Sequence, residues 1–292
     1  MLTSDRILLN PTDTELGIAI EDNLHALFRA MSSLPGAELV QTPELGRHCA
    51  PPTDPMFKGV WATQLAPERV DETINEVLAW FAKRRAPFFF WWTGPSTRPT
   101  DLGQRLAARG LISMEAQAEH RTGAVTAAAK GAPGMAADFD DMSDDALRDV
   151  PRGFAIETVR DEAALRDFKQ VLMAAYGLPE LTTQAWVDAT LAFGFERAPW
   201  RLYLGRLDGE PVASSLLFTG GGVVGVYAVG TVERARGKGI GGAITLAPLL
   251  EARDEGYRHA VLFSSAIGVR AYERIGFRPI DAWIDRYLWR AA

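Results

Sequence analysis

A single cysteine, Cys49, stands among 292 residues. That excludes an intrachain disulfide, and no Cys/His cluster has zinc-ligand spacing, so no metal site is expected. Basic charge is also short. Lys and Arg number 31 against 37 Asp and Glu, a net charge of -6. This argues against a nucleic-acid or membrane surface held by bulk electrostatics and is compatible with an amine partner. No segment reaches the length of a membrane span, and MLTSDRILLNPTDTEL lacks a basic stretch followed by an uninterrupted apolar one. A cytoplasmic location is the resulting expectation. Apolar residues are not scarce: at 47% they can build the cores of two ordinary domains.

The periodicity predicts an α/β chain. In the first half Leu24, Leu27, Phe28 and Met31 share a helix face, Gly59–Leu65 alternates as a strand, and Pro67 opens a helix running through Ile74, Val77 and Phe81. The run Pro87–Trp92 predicts a doubly covered strand, followed by a helix over 101–109 closed by Gly110. His48 and Cys49 flank a proline-rich loop with no base marked for nucleophilic chemistry. Small residues over 124–138 predict a linker, and the acidic stretch 140–150 lacks calcium-loop spacing and predicts a solvated face. Beyond it come a strand from Phe154, a helix opened by Asp161, a second helix capped by Thr182, and a three-strand meander ending at Thr231.

The chain is organised around Val223–Gly242, VVGVYAVGTVERARGKGIGG. An apolar strand ends near Thr231, a charged turn follows, and Gly237, Gly239 and Gly241 open an amphipathic helix. Unpaired N–H groups at a helix start, with glycines beside them, make an anion site, and Arg236 and Lys238 add positive charge. A Walker A loop is excluded because Gly239 stands where Ser or Thr must follow Lys238. Gly237, Gly239 and Gly242 formally fit a dinucleotide fingerprint. However, Glu233–Arg236 separates strand from glycine, and the next strand, Ala260–Phe263, ends in Ser264–Ser265 rather than an acid.

Arg236-Gly237-Lys238-Gly239-Ile240-Gly241 resembles the acyl-CoA pyrophosphate signature of the GCN5-related N-acetyltransferase (GNAT) family. The stretch Ser265 to Phe277, with Tyr272 and the terminal Gly276-Phe277, is similar to that family's later helix. The resemblance covers roughly Phe154 to Trp289, and the order of elements in the first half suggests a degenerate second copy. It implies two tandem acyl-CoA N-acyltransferase-like domains, each a mixed, mainly antiparallel sheet flanked by helices. Residues 1–124 would be the degenerate domain, 125–152 a linker and 153–292 the catalytic domain.

It further implies an acetyl-CoA co-substrate held by the main chain of Val229 and Thr231, by Arg236, Gly237, Lys238, Gly239, Ile240, Gly241 and Gly242, and by Ser265. Tyr272 would stand at the leaving sulfur. The base stays open between Glu233, Tyr227 and water. The helical pair makes Tyr176, Glu180, Trp186 and Phe193 candidates for the acceptor, with Tyr227 on the fourth strand beside them. The expected activity is direct acetyl transfer to a primary amine of a small molecule or peptide in a ternary complex, by a monomer or homodimer. The alternatives are a non-catalytic acyl-CoA sensor or scaffold, and transfer of another acyl group.

Overall fold

The computed structural model describes residues 6–52, 54–117, 131–265 and 268–291. Helix α1 (Asp13–Met31) begins at a capping box in which Thr12 and Glu15 bond each other's backbone N–H. Strands β1 (Glu38–Gln41), β2 (Gly46–Cys49) and β3 (Lys58–Trp61) follow, then α2 (Val70–Lys83), β4 (Phe88–Thr93), α3 (Leu102–Ala108) and β5 (Ile112–Ser113). Strand β6 (Ala132–Asp138) leads to β7 (Phe154–Thr158), α4 (Glu162–Tyr176) and α5 (Glu180–Phe193). The chain continues as β8 (Trp200–Leu207), β9 (Glu210–Gly220), β10 (Val223–Thr231), α6 (Ile240–Asp254), β11 (His259–Phe263), α7 (Val269–Glu273) and β12 (Arg278–Arg290).

All twelve strands join one sheet in the order β1-β2-β3-β4-β12-β6-β11-β10-β9-β8-β7, with β5 also on β12. The centre of that order records an exchange between the halves. Strand β6, from the first half of the chain, pairs with β11 and with residues 278–284 of β12. Residues 285–290 of β12 cross in the other direction and pair with β4, and 287–288 pair with β5.

Strand β6 corrects the linker expected over 125–152, whose first residues, 125–130, lie outside those described. Its small residues are not linker composition but a fit to a crowded place. A side chain on Gly134 would meet Ile20 of α1 at 2.7 Å and the Ala282 carbonyl of β12 at 3.1 Å.

Helix α1 also reaches beyond the expected 1–124 domain. It lies on β9, β10, β11 and β12, burying Leu24, Leu27, Phe28 and Met31. At about 1.5–3 kcal/mol for each such side chain, that face ties the helix to both halves, Phe28 lying against His48, Trp61 and Trp92 of the first. Asn23 docks it in register. Its Nδ2 donates to the carbonyls of Gly220 at 2.8 Å and Phe218 at 3.2 Å, and its Oδ1 accepts the Tyr227 hydroxyl at 2.6 Å. A separate core of Val60, Ile74, Phe81, Phe89, Trp91 and Leu106 underlies α2 and α3.

In the second half Asp161 caps α4, accepting the Ala164 N–H at 2.9 Å, and Gly177 closes it at φ +64°. Helix α5 starts after Pro179, three residues earlier than a Thr182 cap requires.

Candidate active site

Strands β10 and β11 run parallel through Val224↔Ala260 and Gly225↔Val261, and then part. The cause lies in β10. Its register with β9 slips between Tyr227 and Gly230, and Ala228 in the bulge takes φ +51°, so the strand bends away from its neighbour. The opening lies between Tyr227–Thr231 on one side and Phe263–Ser265 with α7 on the other.

Three tyrosines stand around this opening. Burial pushes the Tyr272 hydroxyl up to about 12, and no hydrogen-bond partner meets it among the described residues. Tyr176 ends α4 and reaches across to donate to the Val229 carbonyl at 2.6 Å. The residue is 48% exposed overall, the hydroxyl being its buried end. Burial, then the neighbouring Tyr272, raise its pKa, while the Arg286 charge works in the opposite direction. Tyr227 is held by Asn23 and raised by burial alone. It is therefore a poor base, its proton already placed.

Below the opening, the glycine turn enters α6. None of the N–H groups of Gly237, Lys238, Gly239, Ile240 and Gly241 finds a backbone acceptor among the described residues. Such a row of donors at a helix start fits a pyrophosphate. Gly237 has nothing within 4 Å of where a Cβ would stand, and Gly241 only Thr231 Oγ1 at 3.6 Å. Gly239 is different. At φ +76° its missing Cβ leaves room for the Asp149 carbonyl, 2.0 Å from that position, so the acidic segment 140–150 is laid against the turn.

Arg236 is partly committed, donating to the carbonyls of Thr231 at 3.0 Å and Ala175 at 3.1 Å. With Tyr176 on Val229, both carbonyls expected to meet the pantetheine arm already have a donor. Each oxygen keeps a second lone pair.

The first half contains the same divergence, filled differently. Strands β3 and β4 pair in parallel at Gly59↔Phe90 and Val60↔Trp91. Beyond that the chain closes the gap itself: Arg98 N–H donates to the Thr63 carbonyl at 2.9 Å, and Leu65 N–H to the Arg98 carbonyl at 3.0 Å. Leu106 of α3 is buried in the first-half core. Two clefts, of about 580 and 470 Å³, lie in the first half and along β12, and neither is lined by Tyr272 or the glycine turn.

The other expected residues sit in varied surroundings. Glu180 is exposed and paired with Lys169 at 2.7 Å, a contact that lowers its pKa. Glu233 sits exposed in the turn before Arg236 and is not among the groups acting on Tyr272 or Tyr176. Trp186 packs edge-on against Phe57 of the first half at 5.2 Å, and Phe193 against Trp200 at 5.4 Å. Ser265 is exposed beside the opening, its carbonyl accepting from Ser264 Oγ and Gly268 N–H. Lys238 is exposed on the turn.

Asp54, which no sequence signal marked, is buried beside the Phe57–Trp186 contact. It accepts the Met56 N–H at 2.6 Å, and burial pushes its carboxyl up from 3.8 to about 6 despite that bond and the charges of Lys58 and Arg286. The folded chain thus holds this proton more tightly than the unfolded one, so the carboxyl costs stability as pH rises through 4 to 6. Above 6 the full cost of about two units, roughly 3 kcal/mol, is present. Asp54→Asn keeps an oxygen for Met56. Its melting temperature should exceed the wild type's at pH 8 and match it at pH 4; equal shifts at both pH values would contradict this.

The mixed, mainly antiparallel sheet, the divergence of two parallel strands at a bulge, and the glycine turn into α6 define an acyl-CoA N-acyltransferase-type fold. Residues 143–272, a little under half of the chain, match the family model described as an acetyltransferase (GNAT) domain. A mycothiol acetyltransferase from Saccharomonospora viridis is 31% identical over 107 residues, which are 36% of this chain and 35% of the relative. The match thus spans about a third of that curated relative's length.

Among solved structures, a GCN5-related N-acetyltransferase from Kribbella flavida superposes with a TM-score of 0.65 at 18% identity, covering 91% of this chain and 92% of that one. A tandem GNAT protein from the clavulanic acid biosynthesis pathway does so with a TM-score of 0.54 at 14% identity, covering 96% and 94%. At these identities the likeness is one of fold.

Proposed function

We propose that the protein is an acetyl-CoA-dependent N-acetyltransferase whose second half carries the reaction, by direct transfer to a primary amine of a small molecule or peptide in a ternary complex. The observation that carries this reading is the unpartnered Tyr272 hydroxyl at the mouth of the β10–β11 divergence, beside a turn of unpaired N–H groups. The co-substrate would supply an activated thioester, held by the 237–241 amides at its pyrophosphate and by the β10 edge along its arm.

The N–C bond forms as the C–S bond breaks, and the sulfur leaves with the electron pair. At about 12, Tyr272 keeps its proton opposite a thiol near 8.5, because full transfer would be uphill by roughly 5 kcal/mol. Tyr272 therefore donates a hydrogen bond to the sulfur rather than releasing the proton. The amine must also shed a proton; Tyr227 already donates its own to Asn23, and Glu233 sits exposed in the turn. Water in the opening is the acceptor we favour.

Calorimetric titration with acetyl-CoA, then thiol release across a panel of amines, tests the reading. One site per chain at about micromolar strength with amine-dependent thiol release is expected. Binding without release for any amine would favour the acyl-CoA sensor, and no binding would end both readings.

A further inference from the structure

We propose that Arg286 is the acceptor's anion-recognition residue, and that the amines this protein acetylates carry a carboxylate. The inference rests on the transferase reading and concerns the specificity of the same site. Arg286 lies in the exchanged segment of β12, directly across from Trp92 of β4. That pairing puts both on the sheet face where Trp92 meets Phe263 at 6.2 Å and Phe263 meets Tyr227 at 6.1 Å. The face is thus continuous from the first half to the opening beside Tyr272.

The guanidinium is positioned without being saturated. Its carbon lies 5.7 Å from the Phe90 ring centroid and 5.9 Å from that of Trp92, which fixes its plane. Nε is buried and makes no hydrogen bond, although Glu115 Oε1 is 3.3 Å away as an ion-pair neighbour. Neither Nη donates to any acceptor among the described residues, and the side chain is 34% exposed, so the fork is reachable. Its charge acts on Tyr176 at the opening and on Asp54 across the seam. A planar fork with free Nη groups, held on aromatic rings of the face that leads to the opening, suits a bidentate carboxylate. Glu115 balances the charge and leaves the Nη edge to a ligand. A phosphonate shares this chemistry and enters the test as its own arm.

The experiment compares wild type with Arg286→Gln and Arg286→Lys. Matched acceptors are glycine, β-alanine, 4-aminobutyrate and lysine against the amines lacking the carboxylate, plus 2-aminoethylphosphonate. At least one carboxylate amine should be preferred about tenfold or more in kcat/KM. Arg286→Gln should abolish that preference, chiefly through KM, leaving the carboxylate-free amine and the affinity for acetyl-CoA unchanged, and Arg286→Lys should restore part of it. A merely structural role would lower both acceptors together.

Calorimetry of the N-acetylated carboxylates with CoA present adds a readout independent of turnover, and Arg286→Gln should weaken that binding about tenfold. A preference absent from wild type or kept by Arg286→Gln, a phosphonate arm favoured over every carboxylate, or no Arg286-dependent binding of any product overturns the inference. Arg286-dependent binding without turnover would instead sink the transferase reading alone.

Discussion

Tyr272→Phe should lower kcat about a hundredfold or more while leaving the affinity for acetyl-CoA within about twofold. The expectation follows from what the hydroxyl does in the free protein, which is to bond nothing among the described residues. Removing it leaves no orphaned partner, and the ring keeps its contact with Phe277 at 5.9 Å, so stability should hardly change. The effect therefore falls on the step in which charge gathers on sulfur. A phenol near 12 also predicts that Tyr272 contributes no limb to the pH-rate profile below about pH 11. Pre-steady-state and steady-state thiol release from pH 6 to 10 checks both statements. An unchanged kcat, or a limb that vanishes in the variant, would remove Tyr272 from the sulfur.

Gly241→Asp should weaken acetyl-CoA about a hundredfold or more, with a melting temperature within a few degrees of the wild type. The new Cβ meets only Thr231 Oγ1 at 3.6 Å, an ordinary contact, and an acid in the first turn of a helix suits its dipole. The carboxylate nonetheless stands among the free N–H groups and repels a pyrophosphate there. Gly239 is the less informative choice, because any side chain on it collides with the Asp149 carbonyl and inherits a left-handed backbone. Loss of binding in that variant could come from a disturbed turn. Calorimetry and thermal unfolding of Gly241→Asp separate the two causes, and unimpaired binding would falsify the assignment of the turn to pyrophosphate.

Where local pattern decides structure, the sequence was informative. The apolar strand, charged turn and alternate glycines from Val223 to Gly242 fold as β10, turn and α6 because each step is set by neighbours a few residues away. Asp161 and the Leu165–Phe168–Leu172 face likewise specify α4 locally. The misses are all long-range. Ala132–Asp138 carries linker-like composition, and only the approach of Ile20 and Ala282 explains why its residues must be small. Glu180 is tied by Lys169, a contact between two helices that its place in the sequence did not mark. Asp54 and Arg286 had no local signal at all. Each gains its meaning from partners far along the chain, and Asn23 shows the same limit, its amide bonding carbonyls almost 200 residues distant.

The reciprocal placement of β6 and the end of β12 gives the chain the connectivity of two subunits that have traded an element, closed covalently into one molecule. In a traded pair neither partner has a complete sheet of its own. Removing the first half would strip β6 from β11 and leave that strand's N–H and C=O groups facing water, a ready template for another chain. Removing the second would do the same to β4. The first half, whose own strand gap is closed by Arg98, is thus not dispensable to the sheet of the second. A half so committed to its neighbour's sheet cannot be shed by deletion, only remodelled in place.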